Sequence, residues 1–128
     1  MLRLAHGKAS ALDLELLLAL DAALREEQGS AQRALVLTGS GTIFCAGVDL
    51  KRIQDGGRAY VEAFLPALDR AFASLFFLEK PVVAALNGHA IAGGAVLAFA
   101  CDRRILARGK GLIGMPELRQ DERDGLGG

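Results

Sequence analysis

The hydrophobic and polar positions near the N-terminus repeat with the period of a helix. Between residues 10 and 29, leucines stand three or four positions apart, and charged residues occupy positions between them. Side chains at that spacing share one helical face, so the segment predicts an amphipathic helix. Ser10 or Asp13 can cap its start, and Gly29 can end it. The leucines of this pattern are Leu14, Leu17, Leu18 and Leu24.

Short apolar runs bounded by glycine, proline or charged residues predict buried strands. Helical segments lie between these runs, at residues 58–78 and within the apolar stretch 90–101. Strands that alternate with helices are typical of an α/β fold with parallel pairing. The predicted strands lie within residues 2–5, 33–41, 81–88, 103–107 and 112–114.

Proline and glycine refine this pattern at two places. Pro66 stands inside the second predicted helix, where its missing N–H predicts a kink or a break. Residues 119–128 are polar and rich in glycine, and we expect this tail to be disordered. Residues 1–118 then form one folded unit.

Composition narrows the class of protein. The chain has 128 residues, 52% of them hydrophobic, which suits a single globular domain. Lysine plus arginine and aspartate plus glutamate both number 15, so no charge surplus points to nucleic acid or to an anionic membrane. The apolar run 90–101 is shorter than the roughly 20 residues that cross a bilayer. We therefore expect neither nucleic acid nor a membrane among the partners.

The two cysteines lie far apart in the sequence and form no CxxC pair. This spacing predicts that Cys45 and Cys101 are reduced, buried thiols that pack in the core. Reduced thiols are usual in the cytoplasm, which is the compartment we expect for this protein.

One construction occurs twice in the chain. "ALVLTGSGTIFCAG" and "VVAALNGHAIAGG" each run from an apolar strand through small residues toward a helix. Glycine and alanine expose backbone N–H groups there and let a ligand approach closely. Two such N–H groups directed at one point can hold a carbonyl oxygen and stabilise the negative charge that it acquires in a reaction.

We call these two strand–glycine–helix segments, residues 34–47 and 82–94, the two corners. Their glycines also allow three alternative interpretations. A phosphate-binding P-loop needs GxxxxGK[ST], and no lysine follows Gly88 at that spacing. A dinucleotide fingerprint needs GxGxxG, but Phe44 stands at its last position after Gly39 and Gly41. Close packing of a helix on a strand, without any ligand, is an equal alternative on this chemistry alone.

The two corners and a third motif together resemble the crotonase superfamily, the enoyl-CoA hydratase/isomerase family. "FCAGVDL" is similar to its first signature, a small residue followed by Ala-Gly-x-Asp-Leu. "KPVVAALNGHAIAGGAVLAFACDRRI" is similar to its second, and "IGMPEL" to a third that delivers an acidic residue to the site. With the "KASALD" turn, the resemblance covers nearly all of residues 2–118.

The resemblance implies an α/β fold with a crotonase-like ββα spiral core. The family continues beyond residue 128, so the core would be incomplete at the C-terminus and the chain a truncated member. Residues 1–118 would form a partial acyl-CoA-binding core. The substrate would be an acyl-CoA thioester, with coenzyme A as part of the substrate and with no further cofactor and no metal. Family members are trimers or dimers of trimers, which implies a homo-oligomer.

Site residues follow from the same resemblance. The N–H groups of Ala46 and Gly93 would form an oxyanion hole for the thioester oxygen, and Glu117 would transfer the proton. Asp49 would hold its loop rather than take part in chemistry. The residues implied to contact the substrate are Ala9, Ala11, Ala46, Gly47, Val48, Asp49, Leu50 and Gly94.

One position departs from the family pattern and bears on the reaction. Family hydratases carry a glutamate three residues after the oxyanion-hole glycine, where this chain has Val96. With Glu117 as the single acid, the sequence favours Δ3,Δ2-enoyl-CoA isomerisation, because hydration is easier with two acidic groups. The alternatives are a hydratase, a non-catalytic remnant that binds acyl-CoA or associates with relatives, and a nucleotide-binding module.

We expect structural rather than catalytic roles for the remaining polar residues. His6 and His89 have no partners at metal-ligand spacing, so we expect both to be structural. Asp102 follows the apolar helix, where a carboxylate opposes the helix dipole, and we expect it to pair with Arg103 or Arg104. A solvated face is the expected setting of Arg103, Arg104, Arg108 and Lys110.

Overall fold

The computed structural model describes residues 1–7, 9–109 and 111–114. Within these residues the chain forms two parallel sheets and three helices. In chain order the elements are β1 (Leu2–Arg3), α1 (Leu14–Gln28), β2 (Leu35–Thr38), β3 (Ile43–Cys45), α2 (Leu50–Phe76), β4 (Val82–Leu86), β5 (His89–Ile91), α3 (Gly93–Phe99), β6 (Arg103–Leu106) and β7 (Ile113–Gly114).

The larger sheet has the strand order β1-β2-β4-β6, and the smaller one has the order β3-β5-β7. Every pairing within them is parallel, which confirms the predicted α/β class. Leu37 of β2 is paired with Leu2 on one side and with Ala84 on the other, so β2 and β4 form the centre of the larger sheet. β4 alternates between buried and half-buried residues, as expected of a strand with one fully covered face.

The core joins the larger sheet to α1 and α2. Buried leucines of α1 and buried residues of α2 form one cluster with the inward side chains of β2 and β4. α1 begins after Asp13, whose carboxylate accepts the Leu16 N–H at 2.8 Å, and it ends at Gly29, so both predicted end signals are confirmed. Leu18 of the predicted leucine pattern is exposed. The buried stripe of α1 is instead Leu16, Leu17, Leu20 and Leu24.

The second helix differs from its prediction in length and in the position of its break. α2 begins well before residue 58, and its backbone departs from helical geometry at Gly57, with φ 63° and ψ −153°. Those angles are accessible to glycine and strained for other residues. Pro66 was expected to kink or break the helix, but the backbone around it keeps helical dihedral angles.

The apolar stretch 90–101 is also not one helix. Its first residues belong to β5, and α3 starts only after Ala92, which has a positive φ of 49°. β3 and β5 were not predicted as strands, because each is only three residues long and lies within a glycine-rich segment. The expected tail 119–128 lies outside the described residues. Among the described residues, no helix combines the length and the apolar character needed to cross a membrane.

Candidate active site

The two glycine-rich corners meet in space. A Cβ placed on Gly47 would lie 3.2 Å from the Gly93 nitrogen and 2.7 Å from the Ile91 carbonyl oxygen. A Cβ placed on Gly93 would lie 3.5 Å from the Val48 nitrogen. Gly47 also has a φ of 92°, which side chains with a Cβ rarely adopt. The backbone after β3 and the start of α3 are therefore in direct contact, as the repeated construction suggested.

The segment of residues 9–12 holds the loop that follows β3. The Ala46 N–H donates to the Ala9 carbonyl oxygen at 3.1 Å. Further along, the Leu12 N–H donates to the Gly47 carbonyl oxygen at 2.6 Å, and the Leu12 carbonyl accepts the Asp49 N–H at 2.9 Å. The part of the "KASALD" turn that the structure describes thus lies beside the loop.

These bonds determine which backbone N–H groups of the loop are available to donate to a ligand. The Ala46 N–H was expected to be an oxyanion donor, but it already has the Ala9 carbonyl as its acceptor. The two backbone bonds of Leu12 go to the residues on either side of Val48, as in any parallel bridge, so the Val48 N–H points away from Leu12. Within residues 1–7, 9–109 and 111–114, neither the Val48 nor the Gly93 N–H has an acceptor.

Ala92 makes the turn that presents the Gly93 N–H. Its φ of 49° and ψ of −110° belong to a region that non-glycine residues avoid, at a cost of roughly 1–3 kcal/mol. The Ala92 N–H donates to the Gly114 carbonyl oxygen at 2.8 Å, so the smaller sheet holds the turn in place. Strain of this kind is often found where a backbone group is fixed for function.

α3 lies directly on β3. A Cβ placed on Gly94 would be 2.1 Å from the Cys45 carbonyl oxygen, a distance that no side chain can accept. Gly94 was expected to contact the substrate. Its described contacts instead explain the glycine by packing, since the helix could not approach the strand with a larger residue.

Asn87 joins the two corners, a role that the sequence analysis did not assign. Its side-chain oxygen accepts the Gly39 N–H at 2.9 Å. Its amide group donates to the carbonyl oxygens of Gly41 at 2.9 Å and Ile43 at 3.2 Å. The signal was present in the sequence, because an Asn-Gly pair after a buried strand is typical of a tight turn in which the side chain binds backbone.

The remaining expected substrate contacts lie around this loop. Asp49 caps α2 by accepting the Arg52 N–H at 3.2 Å. Leu50 is exposed, and Ala9 and Ala11 are half-buried. Val96 is half-buried in the first turn of α3. Glu117, the expected proton-transfer residue, lies outside the described residues.

A charged cluster lies next to the loop. The His6 Nε2 atom is 2.6 Å from the Asp13 Oδ2 atom, and Arg52 donates to Glu15 at 2.8 Å. Hydrogen bonding from Arg52 lowers the pKa of Glu15, and the same contact raises the pKa of Arg52. His6, Asp13 and Glu15 offer possible metal-ligand atoms within 4.8 Å of one another. The fold brings together these three residues, whose spacing along the sequence gave no sign of it, and the structural role expected of His6 stays a prediction. The Arg52 guanidinium already supplies positive charge to both carboxylates.

His89 and Asp102 have structural partners. His89 accepts the Leu112 N–H through Nδ1 at 3.0 Å, which fixes the chain before β7. Asp102 was expected to pair with a neighbouring arginine. Its carboxylate instead accepts the Val82 N–H at 2.7 Å. Arg104 turns instead to the end of α3, where it donates to the carbonyl oxygens of Ala98 and Cys101.

Comparison with known proteins places the chain in a family. A family model described as enoyl-CoA hydratase/isomerase matches residues 2–121. The chain belongs to this family. It is 36% identical over 121 residues to the short-chain-enoyl-CoA hydratase of Clostridium acetobutylicum, covering 93% of this chain and 46% of that protein. It is also 41% identical over 96 residues to the enoyl-CoA isomerase/hydratase fer4 of Mycosarcoma maydis, covering 75% and 35%.

Two solved structures have the same fold as this chain. An enoyl-CoA hydratase from Bacillus anthracis superposes with a TM-score of 0.83 at 34% identity, covering 92% of this chain and 46% of that one. Pseudomonas aeruginosa DspI gives 0.82 at 32% identity, covering 92% and 49%. The expected crotonase-like fold is confirmed. The chain spans less than half the length of these relatives.

Proposed function

We propose that the N–H groups of Val48 and Gly93 bind the thioester oxygen of an acyl-CoA. The observation that carries the proposal is the contact between the two corners, where both N–H groups lack an acceptor among the described residues. Two backbone donors fixed near one point stabilise the negative charge of an enolate oxygen without reorganising during the reaction. Family membership supports the choice of a coenzyme A thioester as the ligand.

The loop of residues 46–50 is the surface on which we expect coenzyme A to lie. Its backbone is anchored to the segment of residues 9–12, and Gly47, which has no Cβ, lets the loop approach the backbone of Ile91 and Gly93 closely. Ala46 then contributes to this surface by fixing the loop, whereas the donor of the oxyanion hole is two residues further along. Leu50 is exposed beside this surface and is available to the ligand.

We assign Δ3,Δ2-enoyl-CoA isomerisation as the reaction. Glu117 removes a proton from C2 of a 3-enoyl thioester, and the electron pair moves into a dienolate whose oxygen is held by Val48 and Gly93. The same carboxyl group returns the proton to C4, so the double bond moves from C3=C4 to C2=C3 and Glu117 is ionised again. One acid–base group suffices for this sequence. Val96 stands where a second acid would serve hydration.

The test offers a 3-enoyl-CoA and a 2-enoyl-CoA to the chain in parallel assays. We expect isomerisation of the first to exceed water addition to the second and to be abolished by Glu117→Gln. Glu26→Gln, a change of the same charge on the exposed side of α1, is the matched control and should retain activity. The same assays are repeated on a chain extended with the C-terminal part of the Clostridium relative. Activity that appears only in the extended chain would show that the shorter chain lacks a complete fold rather than the catalytic groups.

Water addition that survives Glu117→Gln would contradict the assignment and favour a hydratase. Binding of the thioester without turnover, in both the chain and its extended form, would favour the non-catalytic alternative.

A further inference from the structure

We propose that Asp13 is a positioning residue for the Val48 N–H, an inference that rests on the thioester site proposed above. Asp13 is a buried charged residue, with 4% of its surface exposed. It lies where the N-terminal segment, the loop after β3 and the start of α2 come together. A buried carboxylate is costly unless several donors satisfy it, so its partners are informative.

The two carboxylate oxygens of Asp13 have different partners. Oδ1 accepts the Leu16 N–H at 2.8 Å and caps α1. Oδ2 lies 2.6 Å from His6 Nε2 and 3.7 Å from Arg52 Nη1. The cap needs only an oxygen atom at this position, which asparagine would also provide. The contacts of Oδ2 need an acceptor, and the contact with Arg52 needs a negative charge.

Leu12 transmits the position of Asp13 to both proposed donors. Its backbone is bonded to the residues before and after Val48, so a shift of Leu12 shifts the Val48 N–H. Its side chain also lies close to Gly93, because a Cβ placed on Gly93 would be 3.1 Å from Leu12 Cδ1. Leu12 is fully buried, so it cannot move without disturbing the core.

Arg52 anchors the other end of the same loop. Its backbone N–H is bonded to the Asp49 side chain, and its guanidinium faces the Asp13 and Glu15 carboxylates. The Arg52 guanidinium also lies 5.5 Å from the centre of the Tyr60 ring. The loop that carries Val48 is therefore held between Leu12 and Arg52. Asp13 links these two anchors, because it follows Leu12 in the chain and its carboxylate contacts Arg52.

The test uses infrared spectroscopy of crotonyl-CoA with an isotope-labelled thioester carbonyl. Hydrogen bonds to the carbonyl oxygen lower its stretching frequency, and we expect the wild-type chain to produce such a shift. Asp13→Asn keeps the helix cap but should reduce the frequency shift. It should also lower kcat by roughly tenfold or more, because small displacements of a reacting group are costly. Affinity for free coenzyme A, which has no thioester carbonyl, should change by less than about twofold.

Two controls separate positioning from general damage. Glu62→Gln removes an exposed carboxylate of α2 that pairs with Arg58 rather than with Arg52, and should leave the frequency shift unchanged. If Asp13→Asn does not fold, the variants His6→Leu and His6→Gln test the proposal in its place. Leucine cannot donate to Asp13 and should reduce the frequency shift, whereas glutamine can still donate and should retain it. An unchanged shift in folded Asp13→Asn, or equal shifts in the two His6 variants, would overturn the positioning role alone. Absence of any shift in the wild-type chain would overturn the thioester site together with it.

Discussion

The Ala46 N–H donates to the Ala9 carbonyl oxygen, and this bond decides which part of the loop can act on a ligand. A donor that already has a backbone acceptor at 3.1 Å must break that bond before it can bind a substrate oxygen. The Val48 N–H, on the other side of the Leu12 bridge, has no acceptor among the described residues and therefore no bond to break there. The Ala46 side of the loop therefore anchors it to Ala9, whereas the Val48 side presents an N–H group to a ligand.

Replacing single backbone amides by esters should distinguish these two sides. An ester at Val48 or at Gly93 removes one proposed donor, and we expect a loss of roughly a hundredfold or more in turnover. An ester at Ala46 removes only the bond to Ala9, so we expect weaker folding with a much smaller change in kcat. Steady-state kinetics and urea unfolding of the three semisynthetic proteins make the comparison. The opposite ranking of Ala46 and Val48 would restore Ala46 as the donor.

Ala92→Gly should stabilise the protein. The alanine has φ 49° and ψ −110°, which glycine adopts without the penalty of a Cβ. The strain energy that is relieved should exceed the extra conformational entropy that a glycine loses on folding. We expect a net gain in the free energy of unfolding of about 1 kcal/mol. Ala95→Gly, in α3 with ordinary helical geometry, is the matched control and should cost about 1 kcal/mol. Denaturant unfolding measures both, and destabilisation by Ala92→Gly would show that the turn is not strained.

Gly94→Ala should be among the most damaging single-methyl additions in the chain. The added Cβ would lie 2.1 Å from the Cys45 carbonyl oxygen, so α3 must move away from β3. Overpacking against backbone costs typically about 1–3 kcal/mol. Gly29→Ala, where the nearest atom would be 3.8 Å away, should change the free energy of unfolding little. Equal melting temperatures for the two variants would contradict the close approach of α3 to β3.

Stability should fall as the solution becomes alkaline because of two buried thiols. Burial raises the pKa of Cys45 and of Cys101 from 9.0 to about 11, with a smaller contribution from the Asp102 carboxylate at Cys101. Between pH 9 and about 11 the unfolded chain loses thiol protons that the folded chain keeps, so the free energy of unfolding decreases with rising pH. Well below pH 9 the two thiols should have no effect on the pH dependence.

The measurement is urea unfolding across this pH range for the wild-type chain and for the double variant Cys45→Ala, Cys101→Ala. The variant starts from lower stability because it loses buried volume, but its decline with pH should be shallower. Parallel declines would mean that other groups titrate in this window. Thiol reagents should label neither cysteine in the folded chain at neutral pH.

The isolated chain should associate through the outer edge of the larger sheet. All four residues of β6 are exposed, including Ile105 and Leu106, and Phe99 of α3 is exposed as well. An exposed edge strand with apolar side chains promotes association with another chain. Light scattering should show oligomers at micromolar concentration that Ile105→Lys reduces. Leu18→Lys, at an exposed leucine on α1, should have little effect. A stable wild-type monomer would contradict this expectation.

The sequence predicted the elements whose periodicity is long enough to be distinctive. The start and end of α1 were predicted because Asp13 and Gly29 act through local geometry that their residue types favour. β2 and β4 were predicted because buried parallel strands are apolar along their length. The break at Gly57 was missed because Pro66 is the more obvious helix breaker, yet the backbone stays helical around Pro66 and departs from helical angles at Gly57.

The position of the available donor was beyond the reach of sequence reasoning. The motif identified the loop of residues 46–50 but could not show that Ala9 occupies the Ala46 N–H, since that bond joins segments far apart in the chain. The same limit applies to Asp102, whose partner is the backbone of Val82 rather than a neighbouring arginine. Patterns along a chain predict local geometry, whereas the direction of an N–H group depends on what packs against it.

The parallel order of the larger sheet has a consequence for how the protein folds. Leu37 must find Leu2 before it in the chain and Ala84 after it, and each pairing closes a long loop. Sheets built from such distant pairings fold slowly, because loop entropy is lost before contacts compensate for it. During synthesis, a nascent chain that has not yet reached residue 93 cannot contain both proposed donors. Until then its apolar strands β2 and β4 lack part of their cover, and a chaperone that shields them in this interval should increase the yield of folded protein.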